Sequence, residues 1–369
     1  MRGIVFTGSG PMAEVRDDVT VIDPGPDEVL VRVVAAGVCH SDVSLLDGTI
    51  PWPAPSLMGH EGAGIVEKVG SLVSRVKPGD HVVIATVSSC GRCDACAVGK
   101  PTWCHKTLAN RREIFTVGGE PAGNFAATSS FAELTVVKEI QAVPIDKEVP
   151  LTSACLIACG IVTGMGSVFN RANVMPGDNV AVFGCGGVGL ATIQALRLKA
   201  ANKIIAVDTL PQKGELALQL GATHFVNAAE TDAVAAIHEL CPYEEDVVEG
   251  PFGGGGVNWS FECTGVPAVT EQAVKILDWG GVCVQVGVPA PTATYSIPIT
   301  HLTQVDRGII GSRAGGVRAQ KDIPVIVDLY KKGLLDLDSM VSRTYPREPF
   351  FTVVDDMHKG ELARGVLTF

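Results

Sequence analysis

Positive charge is scarce in this sequence. Its 29 lysines and arginines are outnumbered by 40 aspartates and glutamates, the net charge is −11, and no long basic run occurs. Such a surface offers no electrostatic footprint for nucleic acid or for an anionic membrane, and neither is expected as a partner. The first ten residues lack the charged and apolar regions of a secretory signal, so a cytoplasmic location is expected. Internal repeats and low-complexity tracts are also missing, which argues against repeat architectures. Long uncharged stretches are rare too. Residues 149–170 carry no charged side chain and are numerous enough to cross a bilayer. Thr152, Ser153, Gly160, Thr163, Gly164, Gly166 and Ser167 interrupt that stretch, and no aromatic belt or basic cluster flanks it. It reads as a buried segment between domains.

What is present is a folded chain of 369 residues with 46% hydrophobic side chains and 42 glycines. That length exceeds one ordinary core and predicts two domains. Residues up to about 150 read as mainly β, with short Val- and Ile-rich runs at 28–36, 64–69 and 81–85 bounded by turn signals. From about 175 the pattern alternates strand and helix, with strands expected at 180–183, 203–207, 224–227, 257–261 and 282–286. This alternation predicts a doubly wound parallel sheet. The glycine-rich 250–256 reads as a surface loop. Helical stretches after 304, such as 323–332, are expected to return to the first domain. The domain division is therefore 1–160 with 304–369, and 161–303.

The second domain is organised around residues 179–208. An apolar run is followed by Gly184-x-Gly186-x-x-Gly189, a helix-length apolar segment, a second apolar run and Asp208. Gly184 permits a tight turn, Gly186 lets backbone approach a pyrophosphate, and Gly189 lets helix and strand pack closely. The helix start offers free N–H groups to phosphate. Asp208 can accept both hydroxyls of an adenosine ribose and would repel a 2′-phosphate, so NAD is expected rather than NADP.

Eleven cysteines in a chain of this kind point to metal rather than to a disulfide framework. Cys90, Cys93, Cys96 and Cys104 lie in one short loop and can close a tetrahedral thiolate shell, for zinc or an iron–sulfur cluster. A closed shell leaves no place for substrate, so that site is structural. A second set is dispersed: Cys39-His40-Ser41-Asp42, Gly59-His60-Glu61 and the distant Cys159. Two thiolates and one imidazole leave one tetrahedral position open, as a catalytic zinc requires. Cys155, Cys185, Cys241, Cys263 and Cys283 read as small buried apolar residues.

In this order, the Cys39–Asp42 motif, Gly59–Gly64, Val76-Lys77-Pro78-Gly79-Asp80-His81-Val82, the four-cysteine loop, Ala158-Cys159-Gly160 and the glycine turn with Asp208 resemble a zinc-dependent medium-chain alcohol dehydrogenase. The C-terminal Arg364–Phe369 resembles the ending of its long, animal-type and aryl-alcohol branch. The resemblance spans nearly the whole chain. It implies an α/β fold with a GroES-like, mainly β catalytic domain and a Rossmann coenzyme domain. It implies two zincs per subunit, one held by Cys39, His60 and Cys159 and one by Cys90, Cys93, Cys96 and Cys104, together with NAD. It makes Glu61 an acid near the metal, Asp42 the carboxylate that orients His60, and Ser41 the hydroxyl that takes the substrate proton. Many relatives have a histidine three residues beyond Ser41, where this chain has Ser44. His40 and Arg364 match groups near the coenzyme pyrophosphate. Gly184, Gly186, Gly187, Val188 and Gly189 match the dinucleotide turn, Asp208 and Lys213 the adenosine ribose, Thr163 and Val188 the nicotinamide, and Val288 a further coenzyme-binding position. Ile50, Trp52, Thr86, Phe125, Ala126 and Val288 match a mostly apolar substrate lining, suited to a medium-sized primary alcohol or aldehyde, aromatic or allylic. A homodimer is implied.

Three other readings compete. A hydroxymethyl-thiol dehydrogenase would carry acids in the loop that here reads Thr49-Ile50-Pro51, and an arginine after the fourth loop cysteine at a position that Arg111 and Arg112 do not match. Polyol dehydrogenases commonly have glutamate at the Cys159 position. A non-catalytic zinc- or NAD-binding protein would not need all three dispersed ligands.

Overall fold

The computed structural model describes residues 1–8, 12–107, 112–243, 254–346 and 350–369. The chain divides into two compact units, Met1–Val162 with Val317–Phe369, and Thr163–Gly316. In the first unit, Glu28–Val38 is the central strand. It pairs antiparallel with Glu61–Val69, Leu134–Lys138 and Arg364–Thr368. Its alternating valines Val29, Val31 and Val33 are buried, and each contributes roughly 1.5–3 kcal/mol by leaving water. The sheet order runs Ala142–Ile145, His81–Ile84, Glu61–Val69, Glu28–Val38, Arg364–Thr368, Val341–Pro346. A second sheet holds Gly3–Phe6, Ser56–Leu57, Glu120–Asn124 and their neighbours.

One register positions the chemistry. Gly37 lies opposite Glu61, so Cys39, just past one strand, faces His60, just before the other. The Glu61–Val69 strand begins earlier than the 64–69 run suggests, because Gly62 and Gly64 act as strand residues and not as a turn. A Cβ on Gly64 would collide with the Arg32 carbonyl oxygen, and one on Gly62 would lie 2.8 Å from Ser130 Cβ.

The second unit is a six-stranded parallel sheet in the order His224–Asn227, Ile204–Asp208, Val180–Phe183, Val257–Glu262, Leu277–Gln285, Gly308–Gly311. The domain boundary expected between 303 and 304 is corrected by this sheet. Gly308–Gly311 adds to Leu277–Gln285 as the edge strand, so the second unit extends to Gly316. Two flanking glycines had hidden a four-residue strand from the sequence pattern. The helix after this edge strand is Ala319–Lys331, with Pro324 in its interior, and a last helix, Phe350–His358, follows it. Of the loop expected at 250–256, the first four residues lie outside the described residues, as does Arg111. Residues 151–171 form short helical segments rather than one span, and no single described helix is long and apolar enough to cross a membrane.

Candidate metal and coenzyme sites

Ligand atoms of Cys39, His60, Glu61 and Cys159 all lie within 4.8 Å of one another. Cys39 is the N-cap of the helix His40–Leu46, and Asp42, in its first turn, accepts the Cys39 N–H at 2.9 Å. The other oxygen of Asp42 meets His60 Nδ1 at 3.1 Å. Asp42 is wholly buried and His60 nearly so. Engaging Nδ1 leaves Nε2 as the free ring nitrogen, and His60 Nε2 is a buried atom with no hydrogen-bond partner. Two soft thiols and an aimed imidazole are the donor set zinc prefers, so the residues fit the metal.

The electrostatics agree with that fit. A hydrogen bond from the Cys159 thiol, with Arg364 nearby, holds Cys39 well below the ordinary thiol range, while the same pairing and burial push Cys159 well above it. Burial disfavours a charged His60, but Asp42 and Cys159 outweigh it and raise His60 well above its usual value. Glu61 is raised to about 8 by burial, against the opposing pull of Arg364.

Arg364, matched by resemblance to the pyrophosphate, is 5% exposed and lies 3.1 Å from Glu61. It also donates to the Val38 carbonyl at 3.3 Å. Within this unit it is the counter-ion of Glu61, a pairing the sequence carried no signal for across 303 residues. Gly160 supplies a further N–H to Glu61 at 3.1 Å, and a Cβ there would strike the Arg364 guanidinium. Ser41 is half-buried, Ser44 buried and His40 exposed, all on the first helical turns after Cys39. Beside His60, Phe125 sits edge-on at 5.6 Å between ring centroids, and Trp52 meets Phe125 at 4.9 Å.

Cys90, Cys93, Cys96 and Cys104 form a second set with ligand atoms within 4.8 Å. The Arg92 backbone N–H lowers Cys90 to about 6, and burial with the Cys93 contact raises Cys96 to about 11. Cys104 is buried and the other three are half-exposed. All four positions are occupied by thiols, so a metal here has no open face.

In the second unit, Gly184 has φ +88° and Gly186 caps the helix Gly187–Leu198. A Cβ on Gly189 would collide with the Gly184 carbonyl oxygen, whereas Gly186 faces open space. Asp208 ends the adjacent strand and accepts Cys185 N–H at 2.7 Å and Leu210 N–H at 3.1 Å. Lys213 lies in the first turn of the next helix, Pro211–Leu220. Thr163 is buried in the helix Gly160–Gly166, Val188 is half-buried, and Val288 is 66% exposed. Glu262 went unremarked in the sequence; it is fully buried where an apolar strand ends. An acid terminating an apolar run and followed by Cys-Thr-Gly was the available signal.

Comparison with known proteins agrees with this architecture. Residues 25–147 match the alcohol dehydrogenase GroES-like domain, and residues 187–332 match the zinc-binding dehydrogenase family. The S-(hydroxymethyl)glutathione dehydrogenase of Saccharomyces cerevisiae is 35% identical over 366 residues, covering 95% of this chain and 92% of that protein. Among solved structures, an alcohol dehydrogenase zinc-binding domain protein from Burkholderia ambifaria superposes with a TM-score of 0.92 at 35% identity, covering 100% of this chain and 98% of that one. Benzyl alcohol dehydrogenase from Acinetobacter calcoaceticus gives 0.90 at 32%, covering 100% and 99%. The chain therefore belongs to the zinc-dependent medium-chain alcohol dehydrogenases, oxidoreductases built from a GroES-like domain and a Rossmann-like parallel-sheet domain.

Proposed function

We propose that this chain oxidises and reforms a medium-sized primary alcohol, aromatic or allylic, with NAD as hydride acceptor. The observation that carries the substrate class is the aromatic wall at the metal set, Phe125 edge-on to His60 and packed against Trp52. A flat apolar substrate gains most from such a wall, because aromatic pairs prefer edge contacts.

In this reading Cys39, His60 and Cys159 hold the catalytic zinc, and Cys90, Cys93, Cys96 and Cys104 hold the structural one. A zinc ion there supplies Lewis acidity at the substrate oxygen. Asp42 fixes the His60 tautomer, and the Arg364–Glu61 pair keeps a second carboxylate neutralised beside the set. The Ser41 hydroxyl takes the substrate proton and passes it outward. Ser44 is no proton carrier of the histidine type, so the last outward step falls to water or to another group. Gly184–Gly189 cradle the pyrophosphate, with His40 near it, and Asp208 with Lys213 hold the adenosine ribose. Thr163, Val188 and Val288 bound the nicotinamide. The working form is a cytoplasmic homodimer.

The second reading is an S-(hydroxymethyl)thiol dehydrogenase, favoured by the name of the yeast relative. Against it, Arg112 is ion-paired with Glu28, and the loop after the first helix carries Thr49-Ile50-Pro51 in place of acids. A panel from ethanol through hexanol, benzyl and cinnamyl alcohols to formaldehyde with and without thiol, with zinc quantified, decides between them. Turnover of aromatic or allylic members with two zincs per chain is expected. Turnover confined to formaldehyde plus thiol would transfer the assignment to the second reading, and equal use of NADP would overturn the role given to Asp208.

A further inference from the structure

The order of strands in the second unit's parallel sheet reverses between Val180–Phe183 and Val257–Glu262, and ligands of such sheets bind beyond the carboxyl ends of the strands at that reversal. With strands about 4.8 Å apart, the ends of Val257–Glu262 and Leu277–Gln285 lie roughly 10 and 14 Å from that of Ile204–Asp208. A dinucleotide whose ribose sits at Asp208 therefore brings its nicotinamide half over residues 263–266 and 286–288.

Those two segments are joined by one buried carboxylate. Glu262 accepts Thr264 N–H at 2.7 Å, the Thr264 hydroxyl, Gly265 N–H at 3.0 Å and Gln285 Nε2 at 2.6 Å. Its backbone oxygen takes Val286 N–H and Gly287 N–H at 2.9 and 2.8 Å. Gln285 in turn donates to the Gly287 carbonyl and accepts the Thr270 hydroxyl. The carboxylate contacts are all with uncharged donors, an arrangement suited to an acceptor-only carboxylate. The backbones pack so closely that a Cβ on Gly265 would lie 2.8 Å from the Val288 carbonyl oxygen, and one on Gly287 would lie 2.7 Å from Glu262 Oε2. The Thr264 methyl lies beside the dinucleotide turn, where a Cβ on Gly184 would come within 2.7 Å of it. Above this clasp Val266 and Val288 are 48% and 66% exposed.

We propose that Glu262 is a positioning residue for the coenzyme. It holds 264–266 and 286–288 at one spacing, so that Val266 and Val288 form a preset apolar floor for the nicotinamide half. The proposal rests on the coenzyme reading above. Glu262→Gln preserves size and one acceptor oxygen, but puts an amide nitrogen where the second oxygen receives Gly265 N–H and Gln285 Nε2, opposing donor to donor.

The test measures NADH binding by fluorescence titration and ADP-ribose binding by calorimetry, on the full-length protein, Glu262→Gln and Ser260→Ala. Ser260 lies on the same strand and donates to the Ala273 carbonyl, so its loss lowers stability without touching the clasp. Glu262→Gln should weaken NADH by about tenfold, the scale of one mispaired buried group. It should leave ADP-ribose unchanged and raise KM for NAD with kcat nearly constant. Unchanged NADH affinity, equal losses of NADH and ADP-ribose, or the same NADH loss in Ser260→Ala would each overturn the proposal. If Glu262→Gln does not fold, Gln285→Leu removes one donor and carries the same comparison, with a loss of about threefold expected. An unmodified protein that binds neither ligand would instead defeat the coenzyme reading itself.

Discussion

The two metal sets use similar atoms in opposite ways. Cys90, Cys93, Cys96 and Cys104 come from one loop, three of them half-exposed, and each is a thiol with another thiol as neighbour. Cys39, His60 and Cys159 come from three segments, and their surroundings are a buried acid that orients the imidazole and a buried Arg364–Glu61 pair. The loop set is self-sufficient and closed. On the proposed reading the dispersed set keeps one position for substrate, and it depends on partners that are not ligands. The difference teaches that a structural metal site can be built by local sequence, whereas a catalytic one is built by register and burial.

The comparison can be broken at several points. Cys159→Ala should cost one zinc per chain and abolish turnover, a loss on the order of a thousandfold or more, since the metal stabilises the reacting charge. Melting should change little. Loss of the fold with both zincs retained until unfolding would make Cys159 a packing residue instead.

Asp42→Asn tests whether the dispersed set depends on a non-ligand. Zinc affinity at that set and activity should fall together by about 10- to 100-fold, measured by competition with a chelating dye. A variant as active as the parent at limiting zinc would show that His60 needs no orienting partner.

Cys93→Ala should do the opposite of Cys159→Ala. It should release the loop zinc and lower the melting temperature, while the remaining zinc and kcat at low temperature are largely kept. Equal loss of activity and stability would dissolve the distinction between the two sites.

The smallest effect is in thiol reactivity. Burial raises Cys155, Cys185, Cys241, Cys263 and Cys283, the last to about 12. A raised thiol pKa means less thiolate at any given pH, so these five should resist labelling at pH 8 until the chain unfolds. Cys90, held near 6, is on the thiolate side at that pH and should label once a chelator removes zinc. Fast labelling of Cys283 in the folded protein would contradict its burial.

Much of this was legible before any coordinates. The glycine turn with Asp208 was readable because each residue there answers a local steric demand: Gly184 a positive φ, Gly189 a close approach to the Gly184 carbonyl. The four-cysteine loop was readable from spacing alone. The dispersed ligands were legible only through resemblance, because nothing in residue 159 announces residues 39 and 60. Three features carried little readable signal. Gly308–Gly311 belongs to the parallel sheet and not to the first unit, because short glycine-flanked strands leave little periodic signal. Arg364 pairs with Glu61, and Glu262 with its own following loop, because burial of a charge forces it to find partners wherever the fold brings them.

The sequence by itself determined what depends on neighbours along the chain: the loop zinc set, the dinucleotide turn, the acidic surface and the change from β to alternating pattern near residue 175. The tertiary structure alone decided which distant groups share a buried space. Opposing Gly37 to Glu61 brings Cys39 to His60, and burying Asp42 beside the imidazole leaves one nitrogen for the metal. Contact energies act through space and sequence separation carries no information about them, which is why that half of the chemistry had to wait for the fold.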